Sequence, residues 1–125
     1  MSDVSERPRR FPKSVYGRGE DPDPRFSLAN ERTFLTWITA GLALLSAGMA
    51  LNALLPHLDS VYLRPAELLL IVSGIACPVQ AWVGWVRVEA ALRENRPLPS
   101  PFFAPWLAIS LTAVGLLLLA AVWGQ

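Results

Sequence analysis

The sequence predicts an all-α integral membrane protein, a bundle of three transmembrane helices with its N-terminus in the cytoplasm and its C-terminus outside. Three observations predict it. The apolar residues gather into three long blocks instead of recurring at a helix or strand period, prolines and short polar turns separate the blocks, and Lys and Arg lie mostly to one side of them. Hydrophobic residues are 53% of the 125-residue chain and the mean hydropathy is +0.37, too apolar for a soluble domain of this length. No room is left for a separate soluble catalytic domain.

The first block runs from Thr33 to Leu55 without a charge. At about 1.5 Å per residue it crosses a hydrocarbon core of roughly 30 Å as a helix. We expect that helix over about 30–55, with Ser27 or Asn30 as N-cap, Glu31 in the first turn against the helix dipole, and Pro56 as the stop. The second helix is expected over 65–86, opened by Pro65 and Glu67 and kinked at Pro78, which cannot donate a backbone hydrogen bond to the Gly74 carbonyl. It continues into water as far as about residue 95, where Glu89 and Arg93 stand at pairing distance along the helix. Pro97, Pro99 and Pro101 end it, and the third helix follows over 102–123.

Residues 1–26 mix prolines with charges and are expected to be a flexible cytoplasmic tail; 27–125 form the membrane domain. The leader is too long and too charged of both signs for a secretory signal peptide, so the first helix is expected to stay uncleaved. Arg7, Arg9, Arg10 and Lys13 serve either as a topology signal or as a contact for anionic lipid headgroups or another polyanion.

Seven of the eleven Lys and Arg residues precede or open the first helix, Arg64 is alone in the first loop, Arg87, Arg93 and Arg96 mark the second, and none follows the third helix. The positive-inside rule places the N-terminus and second loop in the cytoplasm. Trp37, Trp82, Trp85 and Trp106 then fall toward the inner interface, with Trp123 and Tyr62 toward the outer one.

Small residues recur at spacings of three and four along the first helix at Ala40, Ala43, Ala47 and Ala50, and at spacings of four along the second at Ser73, Cys77 and Ala81. Such stripes let helices approach closely. Two of them exceed the needs of one hairpin, and we expect a homo-oligomer in the lipid bilayer, with a compact monomer as the alternative. Thr36, Thr39 and Ser46 overlap the first stripe, either bonding back to their own helix or forming a wetted pore face.

Covalent chemistry has little to work with. There is no nucleophile and base pair, no metal-ligand cluster and no phosphate-cradling glycine loop, and His57 falls in a turn. The single cysteine, Cys77, has no partner for a disulfide or a metal. No enzyme, cofactor, metal or nucleic-acid partner is expected. No ionisable residue lies deep in a span, which argues against a proton-coupled carrier. The charges that remain are Arg32, Arg87, Arg93 and Arg96 at the inner interface, with Glu31 beside Arg32 where the first helix begins. They either snorkel and set topology, or form a ring in an assembly, as in anion-selective pores.

Residues 28–45, read as L-A-N-E-R-T-F-L-T-W-I-T-A-G-L-A-L-L, resemble the signature of the DUF202 (YidH-like) family of small three-helix membrane proteins. The arginine-bearing exit of the second helix and the proline-rich turn after it agree. The resemblance implies a multi-pass protein of the bacterial plasma membrane. It further implies kinship with the membrane domains of the vacuolar transporter chaperone complex, which assemble into a polyphosphate-conducting channel. On that likeness Arg32 would face a translocated polyanion and Arg87 a second ring. The chain departs from many bacterial members at Thr39, where they carry an arginine. Two functions follow as expectations: an arginine-mouthed channel for phosphate or polyphosphate-like anions, or an accessory subunit docking onto another membrane protein.

Overall fold

The computed structural model describes residues 11–100 and 102–124; Arg7, Arg9 and Arg10 lie outside them. Four helices follow one another: α1 (Lys13–Tyr16), α2 (Pro24–Leu54), α3 (Leu63–Arg93) and α4 (Ala104–Trp123), with a 3-10 turn over Leu55–His57. There is no strand among the described residues. Only α2, α3 and α4 are long and apolar enough to cross a membrane, and they form the expected three-helix bundle.

α2 starts before its expected first turn. Its N-cap is Asp23, whose carboxylate accepts from the Arg25 N–H at 2.9 Å, and Pro24 stands at the first helical position, where a missing N–H costs nothing. Asn30, expected as a cap, lies two turns inside and is buried. α3 runs unbroken through Pro78 and includes the extension that was expected to be aqueous. It ends at Arg93; beyond it Asn95 takes φ 53°, and the Arg96 N–H bonds back to the Ala91 carbonyl at 2.9 Å. An asparagine tolerates that left-handed position well.

α2 and α3 make an antiparallel hairpin, and α4 leans on α3. The seam of the hairpin is made by glycines. A Cβ built on Gly41 would stand 3.0 Å from the Cys77 Cβ and 3.1 Å from the Gly74 carbonyl oxygen; one on Gly74 would meet the Leu45 side chain at 2.7 Å. Gly48 fits against Ile71 in the same way. With lipid outside the bundle there is no hydrophobic drive to pair helices, so close approach and dispersion must do it. Leu44, Leu51, Leu63, Leu70, Val114 and Ala121 complete the core.

The two expected small-residue stripes therefore divide. Ser73, Cys77 and Ala81 of α3 are buried, Cys77 against Gly41 in the seam. Ala43, Ala47 and Ala50 of α2 are exposed and Ala40 is only half-buried, so they do not pack the hairpin. At 100° per residue Gly41, Gly48 and Leu44 share one side of α2 and the alanines lie on the neighbouring side, roughly a quarter to a third of a turn round, because the glycines allow the closer approach.

Residues 11–22, expected within the flexible tail, fold back along α3. Val15 and Pro12 are buried, and the Glu20 N–H donates to the Arg93 carbonyl at 3.1 Å. Gly19, at φ +52°, passes so close to that carbonyl that a Cβ would collide with it. Two aromatic rings and one arginine supply the apolar and polar contacts that the composition of the segment had not suggested.

Candidate functional site

Among the described residues, the side-chain hydrogen bonds between α2 and α3 cluster at one end, where α1, the first turns of α2 and the last turns of α3 meet. Glu89 of α3 is buried there. One of its oxygens accepts from the Ser27 hydroxyl at 2.7 Å and the other from the Asn30 amide at 3.2 Å; the same amide donates to the Trp85 carbonyl at 3.1 Å. Asn30, in the centre of the L-A-N-E-R-T motif, thus clamps α2 to α3.

Arg93, one turn beyond Glu89, does not pair with it. It is buried and its guanidinium donates to the carbonyls of Arg18 (2.8 Å) and Tyr16 (3.1 Å) and to the Asp21 carboxylate (2.6 Å), with the Tyr16 ring 5.3 Å away. This planar fork holds the N-terminal segment and is taken up in doing so. Asn30 and Glu89 satisfy each other's buried polar groups, and Arg93 is spared for α1.

The other candidate arginines are accessible. Arg87 and Arg96 come together with Arg18 around a cleft of about 400 Å³ floored by Ala90 and Ala91 and closed by Pro97 and Pro99. Glu94 accepts from Arg96 at 2.7 Å and stands 3.5 Å from Arg18. Arg87 lies over the Phe102 ring at 5.2 Å. Arg18 and Arg96 share one carboxylate while Arg87 pairs with none among the described residues, leaving the cleft positive. Arg18 was not singled out in the sequence, because only the fold-back of α1 brings it beside α3.

Arg32 stands apart from this cleft, exposed and without an ion pair among the described residues. Thr36, Thr39 and Ser46 continue its line along the outward side of α2, all exposed. Thr36 donates to the Arg32 carbonyl and Thr39 to the Leu35 carbonyl, each at 2.9 Å, so both hydroxyls are satisfied within their own helix. Glu31 points to a different side, into a pocket with Tyr16 and Trp82. Outside the spans, the Arg25 side chain holds the Asp23 carboxyl below its ordinary 3.8. Among the described residues no group of His, Cys, Asp and Glu could hold a metal ion.

Three apolar spans in a hairpin-plus-one arrangement, with most of the charges gathered at one end and an Arg64–Glu67 ion pair at the other, define a small multi-pass integral membrane protein. The chain belongs to the DUF202 family, a domain of unknown function, whose pattern matches residues 25–91, the α2–α3 hairpin. It is 45% identical over 83 residues to the inner membrane protein YidH of Escherichia coli, covering 65% of this chain and 71% of that one. It is 39% identical over 105 residues to Rv2272, an uncharacterized protein of Mycobacterium tuberculosis, covering 82% and 84%. No solved structure matches. The protein is a multi-pass component of the bacterial cytoplasmic membrane.

Proposed function

We propose that the protein self-associates in the membrane, with its arginine-bearing end in the cytoplasm, and holds phosphate-type anions there. The observation that carries this reading is the cleft of Arg18, Arg87 and Arg96, where three guanidinium groups are answered by one carboxylate, which pairs with two of them. Guanidinium forks match phosphate oxygens two at a time, and a positive cleft raises local anion concentration. Arg93, spent on the N-terminal segment, is not one of the anion-binding groups. The likeness to polyphosphate-conducting membrane domains supports reading the assembly as a channel, in which Arg32 copies would ring the inner mouth. The protein acts by electrostatics and pore geometry, with no covalent step.

An accessory role is the second reading. Ala43, Ala47 and Ala50 face away from the bundle, where a helix of another membrane protein would fit as well as a second copy. Native mass spectrometry of the detergent-solubilised full chain, with and without polyphosphate, separates the two. A ring of several protomers that retains the polyanion, and loses it on Arg87→Ala with Arg96→Ala or on Arg32→Ala, is the expected result. A monomer or dimer indifferent to polyphosphate overturns the channel and directs the search to a partner protein.

A further inference from the structure

Beside Tyr16 of α1 lies a second pocket, opposite in character to the arginine cleft. It holds about 270 Å³ and is walled by Tyr16, Phe34, Trp82 and Trp85, with Glu31 and Glu89 supplying its charge. The aromatic wall is continuous: Trp82 and Trp85 stack with centroids 5.5 Å apart, Tyr16 lies 6.0 Å from Trp85, and Phe11 stacks on Trp82 at 6.3 Å.

The unusual group is Glu89. It is 3% exposed, yet both its oxygens accept from neutral donors, the Ser27 hydroxyl and the Asn30 amide. No cation pairs with it among the described residues: Arg93, one turn along its helix, is taken by Asp21, and Arg87 lies over the Phe102 ring. A carboxylate buried without a counter-charge is costly. Glu31 also lacks an ion pair among the described residues, and it is exposed where it reaches the pocket.

We propose that this pocket binds an organic ammonium group. Aromatic faces attract such a cation through their quadrupoles, and a carboxylate at the floor with another at the rim supplies its counter-charge. An inorganic divalent cation would need several converging oxygen ligands, whereas this site offers ring faces and few oxygens. The volume is below the roughly 300 Å³ of drug-sized sites and suits a headgroup. The pocket opens at the end of the spans beside Leu28 and Trp82, both exposed, so acyl chains could leave along the outside of the hairpin. The source of the ammonium is either an aminophospholipid of the surrounding leaflet or a free hydrophobic ammonium ion. This inference stands apart from the anion cleft and does not rest on it.

The test uses the full chain purified in detergent. Benzyltrimethylammonium is titrated while tryptophan fluorescence is followed, and retention of phosphatidylethanolamine against phosphatidylglycerol is compared by native mass spectrometry. A saturable change in tryptophan emission is expected in the wild type and in Asp59→Asn at the opposite end. Glu31→Gln, whose side chain is exposed and not needed for folding, weakens binding by about tenfold, in keeping with loss of one charged contact. Glu89→Gln keeps one acceptor oxygen for the Asn30 amide, while its NH2 can donate to the Ser27 hydroxyl oxygen, and it lowers affinity further. Preferential retention of phosphatidylethanolamine identifies the lipid as the source; binding of the free probe alone identifies a soluble ammonium ion. Absence of saturable binding by both probes, or affinities in both Gln variants equal to the wild type, overturns the proposal.

Discussion

Asn30 shows how one side chain can hold two membrane helices together. Its amide donates to both the Glu89 carboxylate and the Trp85 carbonyl, at a place where few other groups could replace it. Asn30→Ala removes a donor from each, and a buried acceptor left short costs about 1–3 kcal/mol. Reversible unfolding in mixed micelles should register that loss, and Asn30→Asp should be at least as harmful because it sets a second carboxylate against the first. At the helix start, the Asp23 carboxyl is held below its ordinary value mainly by the Arg25 side chain. A lowered carboxyl favours the folded state above its unfolded value and loses that contribution as pH falls through its folded one. NMR titration should therefore find the Asp23 midpoint below 3.8 in the native protein, and Arg25→Ala should return it toward that value. Asn30 was read in the sequence as a cap because Asp23–Pro24, the pair that in fact opens α2, lay in a stretch dismissed as tail for its prolines and charges.

At the scale of elements, composition reveals the spans and conceals their seams. Three apolar blocks bounded by prolines are legible because a bilayer demands some twenty apolar residues per helix. Which face pairs is less so: alanine and glycine both read as small, yet only glycine lets the backbones touch, and the stripes read from the sequence did not include Gly41 and Gly48, which make the seam on α2. The difference is testable. Gly41→Val drives methyl groups into Cys77 and the Gly74 carbonyl and should cost about 1–3 kcal/mol of overpacking, enough to lower thermal stability in detergent. Gly115→Ala has nothing within 4 Å of the new Cβ and should be neutral or stabilising by up to about 1 kcal/mol. The N-terminal segment is a third element the sequence did not disclose, because its anchor, Arg93, is remote in sequence and was read as an interfacial charge. Arg93→Lys keeps the charge but not the three-way fork, and Gly19→Ala obstructs the approach of the backbone to α3. Both should raise hydrogen exchange across residues 11–22 and leave the α2–α3 seam protected.

Over the whole molecule, the arrangement of surfaces decides what the chain can join. α3 is covered on two sides by α2 and α4, but the outward side of α2 carries Thr36, Thr39, Ala43, Ser46, Ala47 and Ala50 beneath Arg32, with its hydroxyls at Thr36 and Thr39 already satisfied. A lipid-facing surface has no need of small residues at that spacing; the bulky Leu35, Leu42 and Met49 cover the adjacent side in the manner expected for acyl chains. Small residues there gain most by meeting another helix at short range. If that helix is a second copy, closing the ring sets the Arg32 side chains around one axis, and their mutual repulsion is relieved by an anion at the mouth. Ala47→Leu therefore separates two properties that share a surface. It leaves the buried seam of each protomer untouched, so helical content and the protection of Gly41 and Gly74 should be unchanged. It blocks close approach of neighbours, so native mass spectrometry should show the assembly shifting toward monomer and the polyanion lost along with it. A chain that keeps both its mass and its polyanion after Ala47→Leu would show that protomers meet through another face, and that Arg32 does not line a shared mouth.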